Sequence, residues 1–73
     1  MQNDRPWVEC HSGSEYAERP IAFFWQGRRY QVAEITARWR TPDGKHFRVI
    51  TDGRQGFELF YAEQLDEWRI QEL

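Results

Sequence analysis

The residues with chemistry to offer are a set of cations interleaved with aromatic rings. They are Arg29, Arg38, Arg40, His46 and Arg48, with Phe24 and Phe60 close by in the strand pattern. Rings beside guanidinium groups on a strand surface can stack bases and pair phosphates, which is how single-stranded nucleic acid is held. The same combination of Phe and Arg also suits a protein-binding hot spot. Other chemistry is poorly supplied. Cys10-His11 looks like a fragment of a metal site, but a structural zinc site needs four ligands and only His46 remains elsewhere. Nothing in the sequence fixes a base beside Cys10. There is no GxSxG, phosphate-cradling Gly loop or HExxH, and no carboxylate pair on a shared inner face. The expectation is a non-enzyme without catalytic residues, metal, cofactor or small-molecule substrate.

These side chains must be positioned by strands. The longest candidate runs from Arg28 to Asp52, two strands joined at Pro42-Asp43-Gly44. Pro fixes φ, Asp bonds forward to the backbone and Gly tolerates positive φ. A three-residue loop pairs Thr41 with Lys45. It then sets Arg40 opposite His46, Trp39 opposite Phe47, Arg38 opposite Arg48 and Ala37 opposite Val49. Alternation puts Ile35, Ala37, Trp39, Phe47 and Val49 on a core face. Arg38, Arg40, His46 and Arg48 share the opposite, cationic face.

The preceding strand, Ile21–Trp25, joins at Gln26-Gly27, so that Ile21, Phe23, Trp25, Tyr30 and Val32 face inward and Phe24 and Arg29 outward. Inward positions are even-numbered at Tyr30 and Val32 but odd-numbered at Ile35. An extra residue near Ala33-Glu34, a β-bulge, accounts for the change. Phe57, Leu59 and Tyr61 form the inward set of the next strand, with Glu58 and Phe60 outward. Leu65 is expected to plug one end, and Trp68 and Ile70 to form a last strand. The fold class that follows is all-β: a five-stranded antiparallel meander, an SH3-like small barrel or strongly bent sheet. Residues 20–73 make this single domain, and residues 1–19, without periodicity, are expected to be a flexible, disordered tail.

The chain has 73 residues, and its core depends on four Trp, three Tyr and five Phe. Net charge is −2, which argues against bulk polyanion binding. The charge is unevenly placed. Residues 1–18 carry Arg5 against Asp4, Glu9, Glu15 and Glu18, and residues 55–73 carry Arg69 against five carboxylates. Between them, residues 19–54 hold eight basic residues against Glu34, Asp43 and Asp52. Salt bridging within one sheet and a local basic face for nucleic acid both fit this layout. A single Cys, no apolar run of membrane-spanning length and no leader pattern suggest a cytoplasmic protein without membrane contact.

Several motifs combine into a resemblance. They are P-x-x-F-x-W-x-G-x-x-Y-x-V over 20–32, Trp39-Arg40, F-R-V-x-T over 47–51, F-E-L-x-Y over 57–61, and Trp68-x-Ile70. This pattern resembles a family of small uncharacterised bacterial all-β domains that stand alone or follow the catalytic part of Y-family-type translesion DNA polymerases. The resemblance covers residues 20–70 and rests on core aromatics and turn glycines. It implies an accessory role near DNA repair. The expected partner is single-stranded nucleic acid, from the cation and ring pattern, or a DNA-repair protein. A protein-interaction module using the same face or an edge strand is the alternative.

Overall fold

The computed structural model describes residues 7–10 and 19–73. They form one antiparallel sheet of six strands in meander order, curled into a half-barrel. The strands are β1 Trp7–Cys10, β2 Pro20–Trp25, β3 Arg28–Thr41, β4 Gly44–Thr51, β5 Gly56–Ala62 and β6 Glu67–Glu72.

Four of the residues expected in the tail, Trp7–Cys10, are the added strand β1. Val8 is the physical reason. It pairs with Phe23 and is 1% exposed, in the same apolar cluster as Phe23, Phe57 and Leu59. The rest of the expected tail, 1–6 and 11–18, lies outside the described residues. A bidentate contact fastens β1 at its surface: Arg29 Nε donates to Glu9 Oε2 at 2.9 Å and a terminal nitrogen to Oε1 at 3.2 Å. That hydrogen bond, together with the charge of Arg29, holds the Glu9 carboxyl below its ordinary 4.5. A depressed folded pKa contributes stability above the unfolded value and loses it as pH falls through the folded one. Acidification below about pH 4 should therefore loosen β1 first. The check is amide exchange at Val8 and Glu9, which should accelerate before that of Val49 or Leu59. Equal acceleration everywhere would show that the pair does not fasten the strand.

β3 is shared by both halves of the curl. Its first residues pair with β2, from Trp25↔Arg28 to Ala22↔Gln31, and residues from Val32 onward pair with β4. Gln26 and Gly27 both have positive φ, 50° and 79°, the primed turn whose twist suits a hairpin. The expected bulge is present between Val32 and Glu34. A second one lies between Ile35 and Ala37. There the Thr36 hydroxyl donates to the Arg48 carbonyl at 3.3 Å, giving the interrupted ladder a substitute partner. Each extra residue bends the strand and reverses which side its later residues face, so two bulges curl the sheet and restore the original phase.

The core lies inside the curl. Phe57 joins its two halves, with ring centres 5.0 Å from Phe23, 5.1 Å from Trp25 and 5.2 Å from Tyr30. Phe47 and Trp68 continue the core towards the β3–β4 hairpin. Four expected core residues are not in it: Ala37 and Trp39, which face the other side of the sheet, and Leu65 and Ile21. Leu65 is 60% exposed, because the 63–66 segment is a tight turn on the surface rather than a plug. Ile21 is 40% exposed, since β2 leaves its β3 partner after Ala22↔Gln31 and the expected Ile21–Val32 pair does not form.

Candidate functional site

The β3–β4 hairpin differs from the expected register by one residue, and this reshapes the site. The loop is two residues, Pro42-Asp43, with Thr41 paired to Gly44. Trp39 then sits opposite His46, Arg38 opposite Phe47 and Ala37 opposite Arg48. Neither Pro42 nor Asp43 has positive φ, so the loop is not a primed turn; Gly44, at φ 156°, absorbs the mismatch in twist. Trp39 therefore leaves the core for the outer face and is 38% exposed. Arg38 and Arg40 move to the side that carries Phe47.

Across four strands the register aligns Trp39, His46, Phe60 and Arg69 in one row. The rings stack. Trp39 and His46 centres are 5.0 Å apart with planes 9° from parallel, and His46 and Phe60 are 4.4 Å apart at 25°. The neighbouring row is Ala37, Arg48, Glu58 and Gln71. Arg48 places its guanidinium carbon 5.5 Å from the Trp39 ring centre, and its Nε lies 3.4 Å from Glu58 Oε1. Ala37, having no bulk, leaves room for that approach. His46 Nε2 lies 3.0 Å from Thr41 Oγ1, a hydrogen bond whose direction follows the tautomer. On its other side His46 Nδ1 is shielded from solvent without a hydrogen-bond partner, with Glu58 Oε2 3.9 Å away. Thr41 and the flanking rings thus hold the imidazole as the middle plate of a three-plate stack. Two open depressions of about 240 Å³ each adjoin Phe60 and Arg69, one lined also by His46, Glu58, Ile70 and Gln71.

Of the expected site residues, His46, Arg48 and Phe60 come together. Phe24 and Arg29 belong to the other half of the sheet. Phe24 is half-buried with its ring centre 5.4 Å from Trp7, and Arg29 is held by Glu9. Arg40 donates to both oxygens of Glu63, at 2.9 and 2.8 Å. Arg38 is exposed beside it, off the stacked face. The expected run of Arg38, Arg40, His46 and Arg48 on one face is thus corrected to a split: Arg38 and Arg40, with Lys45 opposite Arg40, on one side, and Arg48 and Arg69 beside the stack on the other. Trp39 and Arg69 are the site residues that sequence reasoning missed. The available signal was Gly44, since glycine is favoured at the position closing a type I turn opened by proline.

Comparison with protein-family models, curated proteins and solved structures finds no match to this chain. Among the described residues no group of three His, Cys, Asp or Glu side chains converges on a metal position. No helix of the described residues is long and apolar enough to cross a membrane. What the face offers chemically is π-stacking, a cation against an indole, and two guanidinium groups for anions.

Proposed function

We propose that this protein is a non-catalytic accessory domain that holds single-stranded nucleic acid on the outer face of β3–β6. The supporting observation is the Trp39–His46–Phe60 stack with Arg48 against its exposed indole. Bases stack on Trp39 and Phe60, while Arg48 and Arg69 meet phosphates. The resemblance to polymerase-associated domains supplies the setting, an accessory role beside a DNA-repair protein in the cytoplasm.

The salt dependence follows from the number of cations at the stack. Single strands lose about 0.7 in log K per decade of salt for each phosphate neutralised. Arg48 and Arg69 together give a slope of about −1.4, whereas five cations would give about −3.5. Fluorescence anisotropy with a labelled oligothymidylate of about eight nucleotides measures it. Trp39→Ala and Phe60→Ala should each weaken binding by about 1–3 kcal/mol. Glu58→Gln removes the carboxylate beside Arg48 and should tighten binding, with the slope staying near about −1.4 because the number of cations at the stack is unchanged. Arg38→Glu should leave binding within about twofold, because Arg38 lies off the stack. No anisotropy change at low salt, or indifference to Trp39→Ala, would sink the proposal.

A further inference from the structure

Among the described residues, the outer edges of β1 and β6 carry no partner strand, and β3 has a further unpaired stretch on its β2 side. β2 pairs with β3 only through Gln31, while β3 continues to Thr41. An unpaired edge presents a row of backbone donors and acceptors ready for another strand. β1 is four residues long, and β6 carries Glu67 and Glu72 at its two ends. The early part of the β3 edge is broken by its two bulges, a known protection against edge pairing. Beyond the second bulge, Ala37–Thr41 is regular and continuously paired to β4 on its other side. This segment has no such protection apart from its charges.

Those charges define the partner. Arg38 and Arg40 project to one face of the edge, and Ala37 and Trp39 to the other. Arg40 is held by Glu63, but Arg38 is exposed with no anionic partner among the described residues. Trp39 exposes apolar surface on the opposite face. A second copy of the chain fits poorly, because antiparallel self-pairing centred on Trp39 brings Arg38 against Arg40 of the other copy. Nucleic acid could reach Arg38 but cannot satisfy an alternating row of N–H and C=O groups. We propose that Ala37–Thr41 accepts an extended acidic peptide from a partner protein as an added strand. Its carboxylates lie at alternate positions towards Arg38 and Arg40, and its apolar residues lie beside Ala37 and Trp39. Main-chain bonds supply affinity, and the alternation supplies specificity and register.

Four capped peptides test this against the ¹⁵N-labelled protein: alternating Val-Glu, the same with Gln, the same with Lys, and Val-Glu with N-methyl groups at alternate residues. Val-Glu should shift the amides of Ala37–Thr41 and slow their exchange. It should bind about tenfold tighter than the Gln version, with the Lys version weakest. Arg38→Glu should erase the preference for Glu over Gln. The N-methylated peptide keeps its charge but loses donors, so equal binding by it would overturn strand addition. Shifts centred on Phe60 and Arg69 instead would overturn it too. The peptide variants keep the test decisive even if Arg38→Glu folds poorly.

Discussion

Phe57→Ala should unfold this protein at ambient temperature or leave it barely folded. Phe57 is fully buried and its ring contacts Phe23, Trp25 and Tyr30, so it is the side chain through which the β2–β3 half of the curl packs on the β4–β6 half. Truncating a buried Phe costs about 3–5 kcal/mol, from lost transfer energy plus the cavity left behind. A chain of this length has a total stability of roughly 4–11 kcal/mol. The loss therefore consumes a large share of the whole. Urea denaturation followed by Trp fluorescence would show the midpoint falling sharply, or no folded baseline at all. Phe57→Leu keeps most of the volume and should cost under about 2 kcal/mol. If Phe57→Ala lost no more than Phe57→Leu, the two halves would not be joined through this ring.

Gly44→Ala should be almost as damaging, for a different reason. Gly44 sits between Thr41 and Ala62 in the ladder, and a Cβ there would lie 1.9 Å from the Tyr61 carbonyl oxygen. Backbone cannot swing aside as the end of a flexible side chain can. Either β4 and β5 separate at this end or the hairpin tip rotates. In both cases the Glu63 amide loses its 3.2 Å bond to the Asp43 carbonyl. We expect a loss of about 2–4 kcal/mol, the range for overpacking combined with a broken backbone hydrogen bond. The same displacement separates His46 from Phe60, so oligonucleotide binding should fall along with the melting temperature. Phe60→Ala should lower binding with much less effect on melting, and comparing the two variants separates site geometry from global stability. A Gly44→Ala protein with unchanged melting temperature would contradict the close approach.

The halves of the chain differ in how far their sequence foretold the fold. In the β2–β3 hairpin, Gln26-Gly27 allows one good solution, a primed two-residue turn, and the expected pairs Trp25↔Arg28, Phe24↔Arg29 and Phe23↔Tyr30 are all present. In the β3–β4 hairpin, Pro42-Asp43-Gly44 is compatible with loops of two or three residues. Local preference separates them weakly, and the hydrophobic pattern favoured the wrong one because Trp39 opposite Phe47 looks like a core pair. The second bulge has no glycine to announce it. It is tolerated because Thr36 can bond the Arg48 carbonyl, a contact between residues twelve apart.

Composition and alternation alone determined that this protein is an all-β meander, that Phe23, Phe47, Val49, Phe57, Leu59 and Trp68 build its core, and that Glu58 and Phe60 face outward. A side chain's direction along an uninterrupted strand is fixed by parity, which needs no knowledge of distant residues. The tertiary structure decided what parity cannot carry across a bulge or a turn. It moved Trp39 out of the core and onto His46, set Arg38 and Arg40 apart from Arg48, and brought Val8 in from the N-terminal segment to make a sixth strand. Each of those outcomes depends on a one-residue offset or a long-range contact whose energy is small beside that of the whole core, so only the assembled sheet selects among them.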